Sequence, residues 1–465
     1  MKNKVFIFLL AIHFLTFSQS GKNNFFTISG IVSDSSSVKN LTDVNIYLDS
    51  LDLGTSTNNF GFYSLIVPAG NVRVNFSCIG YDTYSKNLKV NKDIKLNISL
   101  SSNSTVINEV MLLDNKNQLN TVEASVIKIP VSQIKSIPLF LGETDILKVL
   151  QLFPGVQSGS EGSTGFHVRG GGSDQNLILL DGVPIYNPSH LFGFFSTFNA
   201  DAVGNVKLTK GGFPARFGGR LSSILEVDMR EGNMNKIRGE GSLGLLSAKM
   251  TIETPIIKNK VSYIISARRT YVDLLLNAFQ NKINDTGYGL TGRYYFYDLN
   301  TKLSYKISKK DHIYLSGYFG DDIFSLDSTE SEKNILDDER NNFGLGWGNK
   351  ILALKWRHLF NNRLFSNTSI AYSSYLFNID QSHSGGGRFF STQYMSGIRD
   401  LSGKIDFNFH LNKLHVFRFG FSSTYHNFFP SDMRVNSLGF ISSFPFLGAI
   451  KAYSHFVYIE DNIIL

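Results

Sequence analysis

The stretch YFYDLNTKLSYKI, residues 295–307, decides the fold. Tyr295, Tyr297, Leu299, Thr301, Leu303, Tyr305 and Ile307 take every second position, with Phe296, Asp298, Asn300, Lys302, Ser304 and Lys306 between them. A period of two is the signature of a strand. One apolar face and one charged face suit a strand with lipid on one side and a wet lumen on the other. The pattern returns where Ile313, Leu315, Gly317 and Phe319 alternate with His312, Tyr314, Ser316 and Tyr318. It returns again where Leu401, Gly403, Ile405, Phe407, Phe409 and Leu411 alternate with Ser402, Lys404, Asp406, Asn408 and His410. Strands of a soluble sandwich also alternate but run about 5–6 residues. These runs exceed the roughly 9–11 residues that cross a bilayer at a tilt.

Connection lengths extend the reading over residues 233–465. Short turns fall near 256–260, 308–311, 360–363 and 411–414, and long polar connections near 271–292, 321–342, 379–395 and 429–448. Strict alternation of short and long is expected of periplasmic turns and extracellular loops. The strand before the first short turn then runs downward, so residues 237–254 should hold two strands joined by a tight turn. The count is ten strands.

Upstream the composition changes. Lys2 and Lys4 precede an uncharged apolar run, residues 5–17, and Ser18 and Ser20 offer a cleavage site, so residues 1–20 read as a secretory signal peptide. The apolar run is too short to span a bilayer, which takes about 20 residues. Aromatic residues make up 13% of the chain while mean hydropathy is only −0.05, which suits alternating strands better than apolar helices. The net charge of +7 is dispersed and forms no basic block, so it reads as a solvated surface. The single cysteine, Cys78, excludes an internal disulfide framework, and it sits in an apolar run as a small buried residue.

Residues 21–100 carry strand-like runs FFTISGIV, VNIYLD, FYSLIVP, VRVNFSCI, YSKNLKV and IKLNISL at the spacing of a small β-sandwich. Residues 101–135 are polar and read as a linker. Within it INEVMLL, residues 107–113, is strand-like, either as the last sandwich strand or as a separate segment. The segment Glu109, Val110, Met111, Leu112 and Leu113 could add as an edge strand to a partner sheet.

Residues 136–232 hold the sharpest motifs. TDILKVLQL, residues 144–152, reads as a short amphipathic helix capped by Thr144, with Ile146, Leu147, Leu150 and Phe153 at helical spacing. The triple glycine from Gly170 to Gly172 fits neither a phosphate loop nor a dinucleotide fingerprint in spacing or context. Asp181 and Gly182 after LILL read as a turn between strands. The lone histidines His190, His312, His358, His383, His410 and His415 show no ligand spacing, and neither a Ser-His-Asp set nor paired carboxylates stand out. No catalytic residue, metal site or cofactor is expected.

The ordered blocks Arg169-Gly170, LILLDGVP (177–184), VKLTKG (206–211) and ARFGGRLSSILEV (215–227) resemble the plug domain of TonB-dependent outer-membrane receptors. Arg220-Leu-Ser-Ser-Ile-Leu departs from the Gly-Gly-Val-Ile-Asn-Ile of many members, which suggests a divergent branch. The front domain resembles the carboxypeptidase-regulatory-like β-sandwich over residues 58–82, with Gly61 and Gly80-Tyr81 at turn and strand-end positions, and implies a spacer or docking module. The resemblance implies a mainly β protein: signal peptide, sandwich, α+β plug, then part of a transmembrane antiparallel barrel. It places the motif residues Arg169, Gly170, Asp181, Gly182, Lys210, Gly211, Arg216, Gly218 and Arg220 in the plug, where Arg169, Arg216 and Arg220 are expected to pair with carboxylates on the barrel wall, or Arg169 with plug backbone carbonyls inside the barrel. Plugged barrels of this kind take about 22 strands, so ten strands make the chain an N-terminal fragment, with either an unclosed, curved sheet around the plug or a forced closure with few edge hydrogen bonds. The implied activity is import of a scarce or bulky nutrient (siderophore, cobalamin, oligosaccharide or peptide) across the Gram-negative outer membrane. The implied partners are a TonB-type inner-membrane energy-coupling protein, outer-membrane lipid and a surface lipoprotein, with no nucleic acid. A passive porin would lack the plug. The remaining alternative is a surface-binding or adhesion protein anchored by its barrel.

Overall fold

The computed structural model describes residues 25–463 except 37–39, 43, 49–50, 52, 59–60, 79, 102–124, 138–142, 160–164, 276–279, 281–287, 331–338, 386–387, 413 and 438–439. The chain forms two compact units, Met1–Ser33 with Asn40–Thr105, and Asp34–Lys39 with Val106–Leu465.

The first unit is a two-sheet sandwich of β1 (Phe25–Asp34), β2 (Asn45–Leu48), β3 (Gly54–Ser56), β4 (Phe62–Pro68), β5 (Gly70–Ser77), β6 (Tyr84–Val90), β7 (Ile94–Lys95) and β8 (Ile98–Leu100). One sheet has β1 at its centre, flanked by β4 and by β7 and β8, and the other runs β3-β2-β5-β6. Ile28, Val32, Ile46, Val67, Val74 and Phe76 fill the space between. Cys78 is half-buried against this core and not fully buried, because it falls just past the end of β5.

The second unit starts with the plug strands β9 (Val126–Ile129), β10 (Val156–Ser158), β11 (Phe166–Val168), β12 (Asn176–Leu180), β13 (Val183–Pro184), β14 (Ser189–His190), β15 (Phe195–Ser196), β16 (Val203–Thr209) and β17 (Ser223–Met229). Its central sheet has the order β13-β12-β17-β16-β9, with β12 and β17 parallel. Helices α1 (Val131–Ser136) and α2 (Ile146–Leu150) pack with it. The cap of α2 is Asp145 and not Thr144: its carboxylate accepts from the Leu147 and Lys148 amides at 2.9 and 3.1 Å. A carboxylate suits the exposed amides of a helix N-terminus better than a hydroxyl, and its other oxygen accepts from the Ser196 amide at 2.6 Å. Asp181 and Gly182 make the expected turn between β12 and β13, both in the left-handed region at φ +48° and +75°.

The large sheet follows as β18 (Arg238–Leu243), β19 (Ser247–Ile257), β20 (Val261–Thr270), β21 (Tyr288–Lys306), β22 (Asp311–Glu330), β23 (Glu339–Leu359), β24 (Leu364–Gly385), β25 (Arg388–His410), β26 (His415–Ser437), β27 (Phe440–Leu447) and β28 (Ile450–Ile463). Each pairs antiparallel with the next up to β26, and β27 and β28 share one row along the far side of β26. The sheet therefore has the ten rows read from the sequence, the first two being β18 and β19. Among the described residues the end rows pair on one side only, so the sheet is open.

All four short turns stand where the sequence placed them, for a local reason. Ser308 Oγ accepts from the Lys310 and Asp311 amides, Asn361 Oδ1 from Arg363 and Leu364, and Asn412 Oδ1 from Leu414 and His415. Each side chain imitates a backbone turn two and three residues on. Asn259 turns the fourth in the left-handed region, φ +59°.

The long connections were misplaced. Strands β22 to β26 run 20 to 23 residues, and together with β27 they absorb most of 321–342, 379–395 and 429–448. Near the short turns the burial is inside out relative to a soluble sheet. Leu315, Phe319, Leu352, Leu354, Trp356 and Ile370 are exposed, while His312, Tyr314, Ser316, Tyr318, Asn300, Lys302 and Arg357 are buried against the plug side. The plug core of Leu147, Leu150, Val206 and Leu225 continues into Tyr318, Ile351, Ala353 and Ala371 of the large sheet. No described helix is long and apolar enough to cross a membrane, a statement silent on strands.

Candidate functional site

The plug meets the large sheet through a hairpin, β14 and β15, whose tip is strained. Leu191, Phe192 and Gly193 lie in the left-handed region at φ +48°, +53° and +102°. Bulky side chains avoid that region at about 1–2 kcal/mol per residue, so the surrounding contacts must hold them there. Asp322 on β22 is one such contact, its Oδ1 accepting from the Leu191 amide at 3.0 Å.

His190, just before the tip, lies between two carboxylates of the sheet. Its Nε2 is 2.8 Å from Asp298 Oδ1 and its Nδ1 2.5 Å from Asp322 Oδ2. Its ring stacks on Phe296 at 4.2 Å between centroids. Tyr318 donates to Asp298 at 2.7 Å, and Tyr294 donates to Asp322. Arg268 on β20 reaches Asp298 Oδ2 at 2.7 Å through Nε, the Ser196 carbonyl at 2.7 Å and Glu143 at 3.4 Å. Lys249 stands 3.8 Å from Glu143. Three buried carboxylates (Asp298, Asp322, Glu143) thus face two permanent cations (Arg268, Lys249), and a protonated His190 balances the set. Burial alone would pull the His190 pKa down, but Asp298 and Asp322 more than reverse this and push it up to about 9.

Three further ties fasten other plug segments. Lys302 Nζ lies 3.2 and 3.1 Å from the two oxygens of Asp181 in the DGVP turn, and also donates to the Met229 carbonyl at 3.1 Å. Burial pushes the Asp181 carboxyl up, yet Lys302, Lys355 and the Met229 amide hold it below the usual carboxylate range. Arg216 donates to Glu460 of β28 at 3.0 Å from Nη1 and 2.6 Å from its amide. Tyr186 donates to Asp400, whose other oxygen lies 2.8 Å from His426 Nδ1, and His426 Nε2 lies 3.1 Å from Ser454 Oγ.

The motif residues divide accordingly. Asp181 and Arg216 reach the sheet. Arg169 does not: it is exposed, and its guanidinium donates to Ser125 Oγ at 2.7 Å, within the plug. The φ of +50° at Arg169, followed by Gly170 at +81°, turns that side chain away from the wall. Arg220 is exposed too and donates to the neighbouring Gly219 carbonyl. Lys210 donates to the Pro154 carbonyl at 2.7 Å, and Gly211 turns at φ +121°. A Cβ on Gly218 would sit 2.9 Å from the Phe456 ring, a close approach only glycine permits. The segment from Glu109 to Leu113 lies outside the described residues. Sequence reasoning passed over His190, whose partners Asp298 and Asp322 stand on β21 and β22, and the Ser454–His426–Asp400 run, whose members meet only in the register of β25, β26 and β28. Among the described residues no group of three or more His, Cys, Asp or Glu side chains is placed to hold a metal.

A family model described as TonB-dependent Receptor Plug Domain matches residues 118–223, which contain the DGVP turn, His190 and Arg216. The chain therefore carries a plug domain of the kind found in TonB-dependent receptors. A second model, the CarboxypepD_reg-like domain, matches residues 28–112. No curated protein matches the sequence significantly. Among solved structures, the ferric yersiniabactin uptake receptor FyuA from Yersinia pestis is 12% identical over 73% of this chain and 62% of its own, with a TM-score of 0.39. The outer membrane transporter YddB from Escherichia coli is 11% identical over 72% of this chain and 54% of its own, with a TM-score of 0.45. The chain therefore spans about three fifths and about half of the lengths of those two proteins. Its matched domains mark a receptor or transporter and not an enzyme.

Proposed function

We propose that this receptor binds a scarce or bulky nutrient at the Gram-negative outer membrane and imports it with energy from a TonB-type inner-membrane protein. The observation that carries the reading is how the plug is held. Buried ion pairs and hydrogen bonds from His190, Asp181 and Arg216 fix it to the sheet. Such contacts keep a plug in place at rest and separate under a pull. The exposed apolar face near the short turns meets lipid, and the buried polar face lines the lumen. Residues 1–20 direct export and are removed; 21–100 form the front sandwich and 233–465 barrel strands, while the plug read from the sequence as 136–232 takes in β9 and α1 as well, which leaves 101–125 as the linker. Glu109, Val110, Met111, Leu112 and Leu113 are the segment on which the energy-coupling partner pulls, by strand addition. The front sandwich is a spacer or docking module, and a surface lipoprotein is the partner that would cover the outer mouth.

The test is growth of a deletion strain, with and without the restored gene, on single limiting nutrients: a ferric siderophore, cobalamin, an oligosaccharide or a peptide. Restored uptake of one of them should disappear when a protonophore collapses the inner-membrane gradient. Uptake that persists without the gradient makes the protein a passive channel, and normal uptake in the deletion strain removes the import role.

A further inference from the structure

The large sheet reverses its polarity along its length. Near the short turns the plug-facing side is polar, with Asn300, Lys302, Tyr314, Ser316 and Arg357. Beyond the plug hairpin the same side of the same strands becomes aromatic. Phe192 stands 62% exposed at the strained tip and touches Trp347 at 4.8 Å, Phe324 at 6.2 Å and Tyr294 at 6.5 Å between centroids. Period two and the pairing of Trp347 with Phe377 and Leu345 with Ile379 continue this surface outward, and Phe343 meets Phe324 at 6.5 Å. The opposite face becomes polar over the same rows: Asn342 donates to Asp327, and Asn378 and Gln393 donate to Asp380 at 2.7 and 2.9 Å.

Two features narrow what this aromatic shelf can take. On this face of β22 to β24 the described positions Phe324, Leu326, Ser328, Asn341, Phe343, Leu345, Trp347, Tyr375, Phe377, Ile379, Gln381 and His383 include no lysine or arginine, and Arg388 of β25 shares the face only at its far end, opposite Gly385. An anionic chelate laid on Phe192 would lose its hydration with no cation among these positions to replace it. At the floor of the shelf Asn349, 3% exposed, donates to the Asn187 carbonyl at 2.6 Å, while its Oδ1 is a buried acceptor with no partner among the described residues. Asn187 also donates to the Tyr375 hydroxyl at 3.5 Å. A buried acceptor left empty calls for a donor.

We propose that the shelf binds an uncharged molecule through a flat C–H-rich or aromatic ring face laid on Phe192, with hydroxyl or amide groups turned to the Asn187–Asn349–Tyr375 floor. This deepens the import reading and rests on it, by naming the chemistry the receptor selects and excluding anionic ferric chelates. Leu191 and Phe192 hold their left-handed conformation because His190 and the Leu191 amide are tied to Asp298 and Asp322. The ring is thus presented before any ligand arrives, which lowers the cost of binding.

The chain has two tryptophans, Trp347 under the shelf and Trp356 on the opposite, exposed face. In purified full-length protein carrying Trp356→Phe, emission therefore reports on Trp347 alone. Probes are neutral cello- and xylo-hexasaccharides in one arm, an uncharged hexapeptide containing Phe and Tyr in a second, and ferric enterobactin, an anionic chelate, in a third. A saturable shift is expected in the saccharide or the peptide arm, which tells the two sources apart, and none with ferric enterobactin. Phe192→Ala should weaken that binding about tenfold, and Phe192→Leu nearly as much, because the ring and not its bulk is lost. A shift with ferric enterobactin alone, no shift with either neutral class, or an unchanged Kd in both Phe192 variants overturns the proposal. Detergent binding needs no energy coupling, so these outcomes stand apart from the protonophore result that judges import itself.

Discussion

Replacing His190 by alanine tests how the plug is fastened. The imidazole fills a site between Asp298 and Asp322 and stacks on Phe296, so the variant leaves one uncompensated charge among Asp298, Asp322, Glu143, Arg268 and Lys249. Breaking a buried pair by removing one partner costs about 3–5 kcal/mol. The lower figure applies, because Asp298 keeps Arg268 and Tyr318, and Asp322 keeps Tyr294 and the Leu191 amide. About 3 kcal/mol is roughly a hundredfold in the opening equilibrium of the hairpin. Amide hydrogen exchange of a peptide spanning residues 189–196, in the full-length protein, should therefore quicken about a hundredfold, with β12 and β17 much less affected. His190→Gln, which keeps one donor and one acceptor, should fall between. The pH dependence has a definite sign. The folded pKa of about 9 lies above the ordinary 6.5, so the contribution is complete below pH 6.5 and is lost as pH rises through about 9. Corrected for intrinsic exchange, wild-type protection should drop between pH 7 and 10 while His190→Ala stays flat. A change under threefold at pH 7, or a loss of protection on the acid side, would refute the assignment.

Lys302→Met should loosen the DGVP turn by about 3 kcal/mol, since Asp181 then keeps only the Met229 amide and the more distant Lys355; faster tryptic cleavage of the plug measures it. Asp181 is held below its ordinary 3.8, so in the wild type this tie persists above that pH and weakens only as pH falls through the lower folded value. Gly232→Ala sets a Cβ 2.5 Å from the Tyr263 carbonyl oxygen and should lower the unfolding temperature through about 1–3 kcal/mol of strain, whereas Gly403→Ala, with nothing within 4 Å, should leave it unchanged. Val110→Pro should abolish energised uptake and spare binding, by removing a backbone donor from the coupling segment. Normal uptake in that variant would reassign the segment.

What was legible in the sequence was local. Three of the four short turns could be placed because Ser308, Asn361 and Asn412 each bond their own backbone within three residues, and the fourth because Asn259 tolerates positive φ. The DGVP turn needs only two adjacent residues that tolerate positive φ. His190 was passed over as one lone histidine among six because its partners lie 108 and 132 residues away, on strands whose register only the fold supplies. Arg169 failed for the converse reason. Its motif is local, but the direction of its side chain depends on a φ of +50° that composition does not disclose.

The misplaced connections have a physical origin that bears on function. Periodicity shows which residues share a face, but it needs one face apolar and the other polar to show which way each points. On β22 the exposed face runs Leu315 and Phe319 and then reaches Asp327, while the plug-facing side runs Tyr314, Ser316 and Tyr318 and then Phe324 and Leu326. β23 does the same, from exposed Leu352 and Leu354 to Asn342, and from buried Arg357 to Trp347 and Phe343. Where the two faces exchange polarity the alternation cancels over a window, and a strand of 20 residues reads as a strand followed by polar loop. A strand standing in one pair of surroundings throughout has no reason to invert. These strands invert at the level of Phe192, which is where the apolar band ends outside and the plug ends inside. The sequence signal thus failed at the rows where the plug-facing side passes from packed core to the exposed Phe192, the surface proposed above for the ligand.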